Sequence, residues 1–296
     1  MSAVLYQIFT STGLISLGLY HLTSSIHSHL KSPSTFSAKP YHPLPLPNHH
    51  HHLRHLSLYI TSLSLLLSFL HHSVSSSTPD PLLSVHSFSS LTSAAVSLFF
   101  LILSLSLLLP LIPHDLSFAA ASAAFFLLHS SSSSRAAVLS SNLESHLLSL
   151  SSHVSLLSSL LSLALSLSPR LFVADVALSA SVVLQGLWAL QTGLSLHVDA
   201  FIPEGCHKLL DVVAGVEGST KCELDESKLR AAAILDLMFV IYVVVVVLIV
   251  FGVYTLVSKV TGISTRRFGS YEALPNAVVV DGTSHVQLKT LSGTQA

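Results

Sequence analysis

The chain has 296 residues, of which 9% are charged and 50% are hydrophobic, and its mean hydropathy is +0.70. Soluble domains carry about 25% charged residues, so this composition excludes an ordinary water-soluble protein. The formal net charge of −1 excludes a strongly basic nucleic-acid-binding protein. Lipid is the remaining solvent, and it favours helices because their backbone groups are satisfied internally.

Seven segments are apolar enough for transmembrane helices, which need about 20 residues each. In chain order they cover about 4–22, 56–74, 91–112, 116–134, 147–167, 171–196 and 231–257. The second and fourth have the shortest uncharged cores. We therefore predict an all-α, polytopic integral membrane protein, with a seven-transmembrane helix bundle over 1–258 and the lipid bilayer as its partner.

Two polar stretches complete this organisation. Residues 24–55 form a proline-rich connection that we expect to be irregular, and the tail 259–296 has the small and polar residues typical of mobile termini. Loop 197–230 is acidic and chemically varied, and the apolar residues of 208–213 suit a short helix at the membrane surface.

Lys and Arg concentrate in cytoplasmic loops and so predict the orientation. With seven crossings, eight of the 13 basic residues fall on the side of the C-terminus and the other five on the opposite side. We therefore expect a cytosolic C-terminus and an external loop 197–230. The location is a plasma membrane or an endomembrane.

Both cysteines, Cys206 and Cys222, lie in this loop. An external loop favours a disulfide, which would constrain the unfolded chain by about 3 kcal/mol. Two free thiols that share the loop by chance are the alternative.

The run QGLWALQTGLSLHVDAFIPEGCHKLLDVV begins at Gln185, and RRFGSYEALP covers 266–275. Both resemble plant members of the transmembrane protein 45 family, which is also catalogued as a domain of unknown function. The stretch GLYH at 18–21 resembles the Gly-Leu-Trp-His that ends that family's first helix. The resemblance implies a seven-helix membrane protein, a loose association with plant defence against viruses, and no established reaction.

The chain departs from the family pattern in its fourth and fifth segments. The family carries a glutamate about two turns before a histidine, whereas here Ser122 precedes His129. The family's Leu-Glu-Gly-x-x-His is shortened to LESH at 143–146. The resemblance therefore carries over no site built on that glutamate.

Ionisable groups inside a bilayer are costly and are candidates for function. Asp236, inside the seventh segment, could hold a proton or a cation, or could pair with a polar neighbour. His146 and His153 share one face of the fifth segment, and His129 could approach from the fourth. These histidines could bind zinc or relay protons. The i, i+4 spacing of helical metal sites is missing, so we favour structural hydrogen bonds and predict no metal and no cofactor.

Gln185, Trp188 and Gln191 form a polar stripe on the sixth segment. The stripe could line a cavity, but we favour hydrogen bonds between helices, worth about 0.6–2 kcal/mol each.

Two short motifs lie outside the helices. His49 to His52, with His42 and His55, could bind a transition metal weakly, although compositional bias is the favoured explanation. Tyr271, Glu272, Ala273 and Leu274 fit the tyrosine-x-x-hydrophobic signal read by clathrin adaptors on the cytosolic side.

Three functional hypotheses follow. We favour a non-enzymatic membrane component that organises or traffics other proteins through loop 197–230 and the tail. The alternative is a transporter or channel-like protein for protons, metals or a small solute, using Asp236 and the histidines of the fifth segment. A membrane hydrolase of the ceramidase type ranks third, because it would need zinc and its motif set is missing.

Overall fold

Long α-helices form most of the described chain. The computed structural model describes residues 3–43, 55–76, 84–109, 113–139, 141–210, 217–222 and 224–262. Its seven α-helices are α1 (Ala3–Lys31), α2 (Leu56–Ser76), α3 (Ser84–Leu108), α4 (His114–Val138), α5 (Asn142–Leu167), α6 (Phe172–His197) and α7 (Asp225–Val260). Between α6 and α7 lies one antiparallel pair of strands, β1 (Cys206–Leu210) and β2 (Glu217–Cys222).

Five of the seven helices, α2, α3, α5, α6 and α7, are long and apolar enough to cross a membrane. This confirms the predicted helical membrane architecture, but only five crossings are supported by helix length and composition. Over the described residues, α1 and α4 are not among these five. Gln, Thr, Ser and His side chains interrupt the apolar residues of α1, and α4 contains a run of five serines before Arg135.

Several helix ends differ from the sequence-based boundaries. Helix α1 continues to Lys31, so the first part of the connection expected to be irregular is helical. Helix α5 begins at Asn142 because the Ser141 side chain caps it, accepting the backbone N–H of Glu144 at 3.4 Å. Helix α7 begins at Asp225, which shortens the loop before it.

The loop before α7 contains a hairpin and not the short surface helix expected over 208–213. Residues 208–210 belong to β1, and 211–216 lie outside the described residues. In the register, Cys206 lies opposite Cys222, and the two are joined as a disulfide. Pairing with β2 satisfies the backbone groups of β1, which removes the reason for a helix there.

Helices α1 and α6 run antiparallel and approach closely through glycines. A Cβ atom at Gly18 would lie 2.9 Å from the backbone nitrogen of Val183, and one at Gly186 would lie 2.8 Å from that of Ile15. Further along, the Gln7 side chain lies against Gly193 and donates from Nε2 to the Ala189 carbonyl at 3.0 Å. The contact therefore extends over most of α1.

Hydroxyl groups join α4 to α5 in a similar lengthwise contact. Ser159 donates to the Ser122 carbonyl at 2.9 Å, and the two hydroxyls are 3.3 Å apart. Nearer the two ends, Ser166 donates to the Asp115 carbonyl, and Ser145 donates to the Ala136 carbonyl. Elsewhere the helix serines mostly bond to a carbonyl one turn earlier, as Ser158 does to Val154.

We expect Gly186→Ala to destabilise the bundle by about 1–3 kcal/mol, because the added methyl group overlaps the backbone of α1. Gly13→Ala is the matched control on α1, since a Cβ there meets nothing within 4 Å. Thermal unfolding of the purified proteins in detergent measures both effects. Equal melting temperatures for the two variants would contradict the glycine contact.

Candidate functional site

A cavity of about 470 Å³ lies inside the bundle. Its wall includes residues of α1 to α6 and of the segment after α1, whereas no residue of α7 contributes. The apolar lining side chains are chiefly Leu, Val and Phe, and the polar ones are chiefly Ser hydroxyls and histidines. The volume falls within the range of about 300–1,000 Å³ that is usual for small-molecule sites.

The cavity follows α4 for most of the length of that helix. On α4 its lining extends from Ser117 to Arg135, which corresponds to about 27 Å at about 1.5 Å per residue. On α2 it extends from Thr61 to His72. The hydrocarbon core of a bilayer is about 30 Å thick, so the cavity has the length of a path across it.

The α2–α3 pair forms one side of this cavity. Hydroxyl contacts hold the pair together, with Ser62 and Ser104 2.7 Å apart and Ser68 and Ser97 3.3 Å apart. Helix α3 packs on α4, but α2 has only slight contact with α1. The cavity occupies the space that remains between α2 and α1.

A buried acid lies at the end of the cavity formed by the C-terminal half of α1. Asp175, in the first turn of α6, has a side chain that is 0% exposed. The His21 Nε2 atom is 3.6 Å from its Oδ1, and the Ser25 hydroxyl lies beside the same carboxyl. Among the described residues, neither carboxyl oxygen accepts a hydrogen bond of ordinary geometry. The pair therefore retains unused hydrogen-bonding capacity behind the cavity wall formed by His21.

The segment after α1 returns along the bundle and places His42 in the cavity wall. Its anchor is the backbone N–H of Ala38, which donates to the Pro169 carbonyl at 2.7 Å. The rings of His42 and His21 are 5.2 Å apart, and His42 Nε2 is 3.5 Å from the Ser25 hydroxyl. Burial lowers the pKa of His42 to about 4, with smaller contributions from His21 and Lys39. His42 is therefore neutral at physiological pH.

Arg135 and His72 lie at the other end of the cavity. Arg135 is in the last turn of α4, and it is close enough to His72 for their charges to interact. The buried hydroxyls of Ser131 and Ser132 line the wall beside Arg135. The two ends of the cavity therefore differ in their charged groups. The Asp175 carboxyl lies behind the wall at one end, and the Arg135 guanidinium lines the wall at the other.

The structure brings together two of the residues predicted as an intramembrane polar site. His146 Nε2 is 2.8 Å from Asp236 Oδ1, which joins α5 to α7. The pair lies on the outside of the bundle, with the two side chains 31% and 58% exposed, and neither residue lines the cavity. Asp236 therefore has a polar partner, but it is not on the internal path.

The other predicted histidines do not complete a metal centre. His129 approaches α5 as expected, but its Nδ1 donates to the Ser152 carbonyl at 2.9 Å. His153 is exposed. Among the described residues, no group of three or more His, Cys, Asp and Glu side chains could hold a metal ion.

The polar stripe on α6 divides between cavity and helix contacts. Gln185 lines the cavity, and its Nε2 lies 3.3 Å from the Ser155 hydroxyl on α5. Gln191 is buried and accepts from the Tyr242 hydroxyl on α7 at 3.0 Å. Trp188, between them, donates to the Leu147 carbonyl at 3.0 Å. Gln185 therefore both lines the cavity and bonds to α5, whereas Trp188 and Gln191 do not line it and join neighbouring helices.

Two predicted motifs lie outside the described residues. They are the histidine run 49–52 and the tyrosine motif 271–274.

Sequence reasoning missed Asp175, His21 and Arg135 as site residues, and it singled out His42 only as part of a histidine segment that could bind a metal weakly. Asp175 lies inside the predicted sixth segment, and the rule that singled out Asp236 applies to it equally. His21 was noted only within the GLYH motif. The contribution of His42 and Arg135 could not be found from sequence, because it depends on how the loop after α1 and the end of α4 meet the cavity.

Residues 114–255 match the model of a family of unknown function (DUF716). The match extends from the start of α4 into α7 and includes Arg135, Asp175, the hairpin and the His146–Asp236 pair. Helices α1 to α3 lie before it. No curated protein matches the chain.

The histidine at the buried end predicts a pH dependence of stability. Between pH about 6.5 and about 4 the unfolded chain protonates His42 while the folded chain does not, so the free energy of unfolding falls as the pH falls. We expect His42→Gln to lose less stability than the native protein between pH 7.5 and 5.0, measured by thermal unfolding in detergent. His27→Gln, at an exposed histidine of α1, is the control. Equal pH responses of the native protein and His42→Gln would exclude this role.

Proposed function

We propose that the protein is a seven-crossing membrane protein whose central cavity binds a small solute and provides its path through the bundle. The observation that carries this proposal is the cavity itself, which follows α4 over about the thickness of a bilayer's hydrocarbon core. Its wall combines apolar side chains with polar groups, chiefly serine hydroxyls, and small-molecule sites combine the same two kinds of group.

The packing of α1 and α4 supports seven crossings. Helix α1 contacts α6 from Gln7 to His21, and α4 contacts α5 from Asp115 to Ala136. Both partners are apolar enough to cross the membrane. A helix bound lengthwise to a crossing helix occupies the same depth, and here the partner also satisfies its polar side chains.

The proposed path differs from the one first expected for a transporter. Asp236 and His146 pair on the outside of the bundle, whereas His21, His42, His72 and Gln185 line the cavity. Several polar groups therefore converge on one internal path. This convergence favours solute passage over the organising role suggested by the sequence.

We further propose that the hairpin is external and the C-terminus cytosolic. The disulfide between Cys206 and Cys222 suits an oxidising compartment, and the count of basic residues agrees with that orientation. The resemblance to plant members of the transmembrane protein 45 family supports seven helices and a context in defence. The sorting role of Tyr271 stays a prediction.

The cavity predicts different chemistry for two adjacent residues in the middle of α3. Ser97 lines the cavity, whereas Leu98 does not line it and is 38% exposed. The cysteines of the described residues are disulfide-bonded, so an introduced cysteine supplies the reactive thiol. We expect a neutral, water-soluble methanethiosulfonate to modify Ser97→Cys at least about tenfold faster than Leu98→Cys in nanodiscs, because the reactive thiolate needs water. Equal rates would contradict a hydrated solute path.

A further inference from the structure

Among the described residues, the cavity carries a cation with no counter-ion in the wall. Arg135 lines the cavity, and no described Asp or Glu side chain lines it. Of the described lining residues, Arg135 alone has a permanent charge, because a guanidinium is not deprotonated in proteins. The ion pairs among the described residues join other partners, and Arg135 takes part in none of them.

The position of Arg135 in the last turn of α4 does not remove this imbalance. The helix dipole places about half a negative charge at a C-terminus, which stabilises a cation but does not neutralise it. An arginine beside an apolar cavity therefore favours an anion that can accept its paired N–H donors.

We propose that the solute is an amphipathic anion, with its carboxylate or phosphate against Arg135 and its apolar part along the cavity. This inference rests on the proposed function and names the chemical class of the solute. Ser131 lies one turn before Arg135 on the same face, so its hydroxyl is placed to donate to the same acid group. Leu65, Phe100 and Phe125 line the wall available to the apolar part.

The opposite end of the cavity fixes the orientation of this anion. Asp175 lies behind His21 there, and among the described residues its carboxyl has no Lys or Arg partner. An acid group at that end would face another acid, whereas at the Arg135 end it meets a cation. The charges of the two ends therefore favour a single orientation, with the acid group beside the last turn of α4.

The proposal is tested by the rate at which the methanethiosulfonate modifies the Ser97→Cys thiol, because a bound probe should protect the thiol and slow the reaction. Decanoate is the anionic probe, and decyltrimethylammonium is its cationic counterpart. In phosphatidylcholine nanodiscs we expect decanoate to slow modification at least about fivefold and the cation to have little effect. Arg135→Gln should abolish protection by decanoate, and Arg135→Lys should retain part of it. Arg170→Gln, at an exposed arginine that does not line the cavity, should retain all of it.

A charge reversal distinguishes the proposal from a loss of folding. Arg135→Glu should exchange the preference, so that decyltrimethylammonium protects and decanoate does not. Equal protection by the two probes in the native protein, or protection by decanoate that survives in Arg135→Gln, would overturn the anion site. Failure of the proposed function would give a different result: Ser97→Cys would react no faster than Leu98→Cys before any probe is added.

Two sources could supply such an anion, and the nanodisc lipid separates them. If phosphatidylglycerol nanodiscs slow modification of the Ser97→Cys thiol and decanoate does not, and if Arg135→Gln removes this protection, the proposal is supported with a bilayer lipid as the ligand. Protection by decanoate in phosphatidylcholine, with none from phosphatidylglycerol, would support it with a free amphiphile as the ligand. Protection by neither anion would overturn it.

Discussion

The lengthwise docking of α1 on α6 is the contact on which the rest of the architecture depends. Gly18 and Gly186 remove the side chains that would hold the two backbones apart. The close approach brings Gln7 to a carbonyl of α6 at one end and His21 to Asp175 at the other. The proposed crossing of α1 depends on this contact, because α6 supplies partners for polar side chains of α1 that lipid would leave unpaired.

Helix α4 likewise packs lengthwise on a neighbouring helix, α5, but serine side chains and not glycines form this contact. Ser122 and Ser159 bond across the interface, and His129 donates to the backbone of α5. With α1 and α4 held against their partners, the α2–α3 pair is left with α4 as its main neighbour. The cavity lies between this pair and the rest of the bundle, and α1 and α2 both contribute to its wall.

Much of the helical architecture was predictable from residue type alone. Long runs of Val, Leu and Ile identify α3 and α7 without any tertiary information, since only lipid accommodates them. The start of α5 was predicted at about 147 and lies at Asn142, although Ser141 and Glu144 have the spacing of a capping box that would have identified it. The hairpin could not be predicted from the sequence, because its strands depend on the pairing that places Cys206 opposite Cys222 and not on local apolar periodicity.

The candidate site could be predicted only in part, for reasons of distance along the chain. Asp236 and His146 were each singled out by their cost in lipid, yet their pairing depends on where α5 meets α7. Asp175 and His21 belong to helices far apart in the sequence, and only the glycine contact shows that they are neighbours. Composition indicates which residues are costly, whereas packing decides which of them line an internal path.

The central claim is that α1 and α4 cross the membrane with their partners, and labelling of single cysteines tests it most directly. A membrane-impermeant maleimide is applied to intact cells with one added cysteine ahead of residue 1, at Ser37 or at Leu139. Ser37 is exposed and Leu139 is partly exposed, and they lie in the connections after α1 and α4. Seven crossings predict that the N-terminal and Leu139→Cys thiols label from outside while Ser37→Cys labels only after permeabilisation. Labelling of Ser37→Cys on the same side as either of the others would show that α1 or α4 does not cross, and would contradict the account.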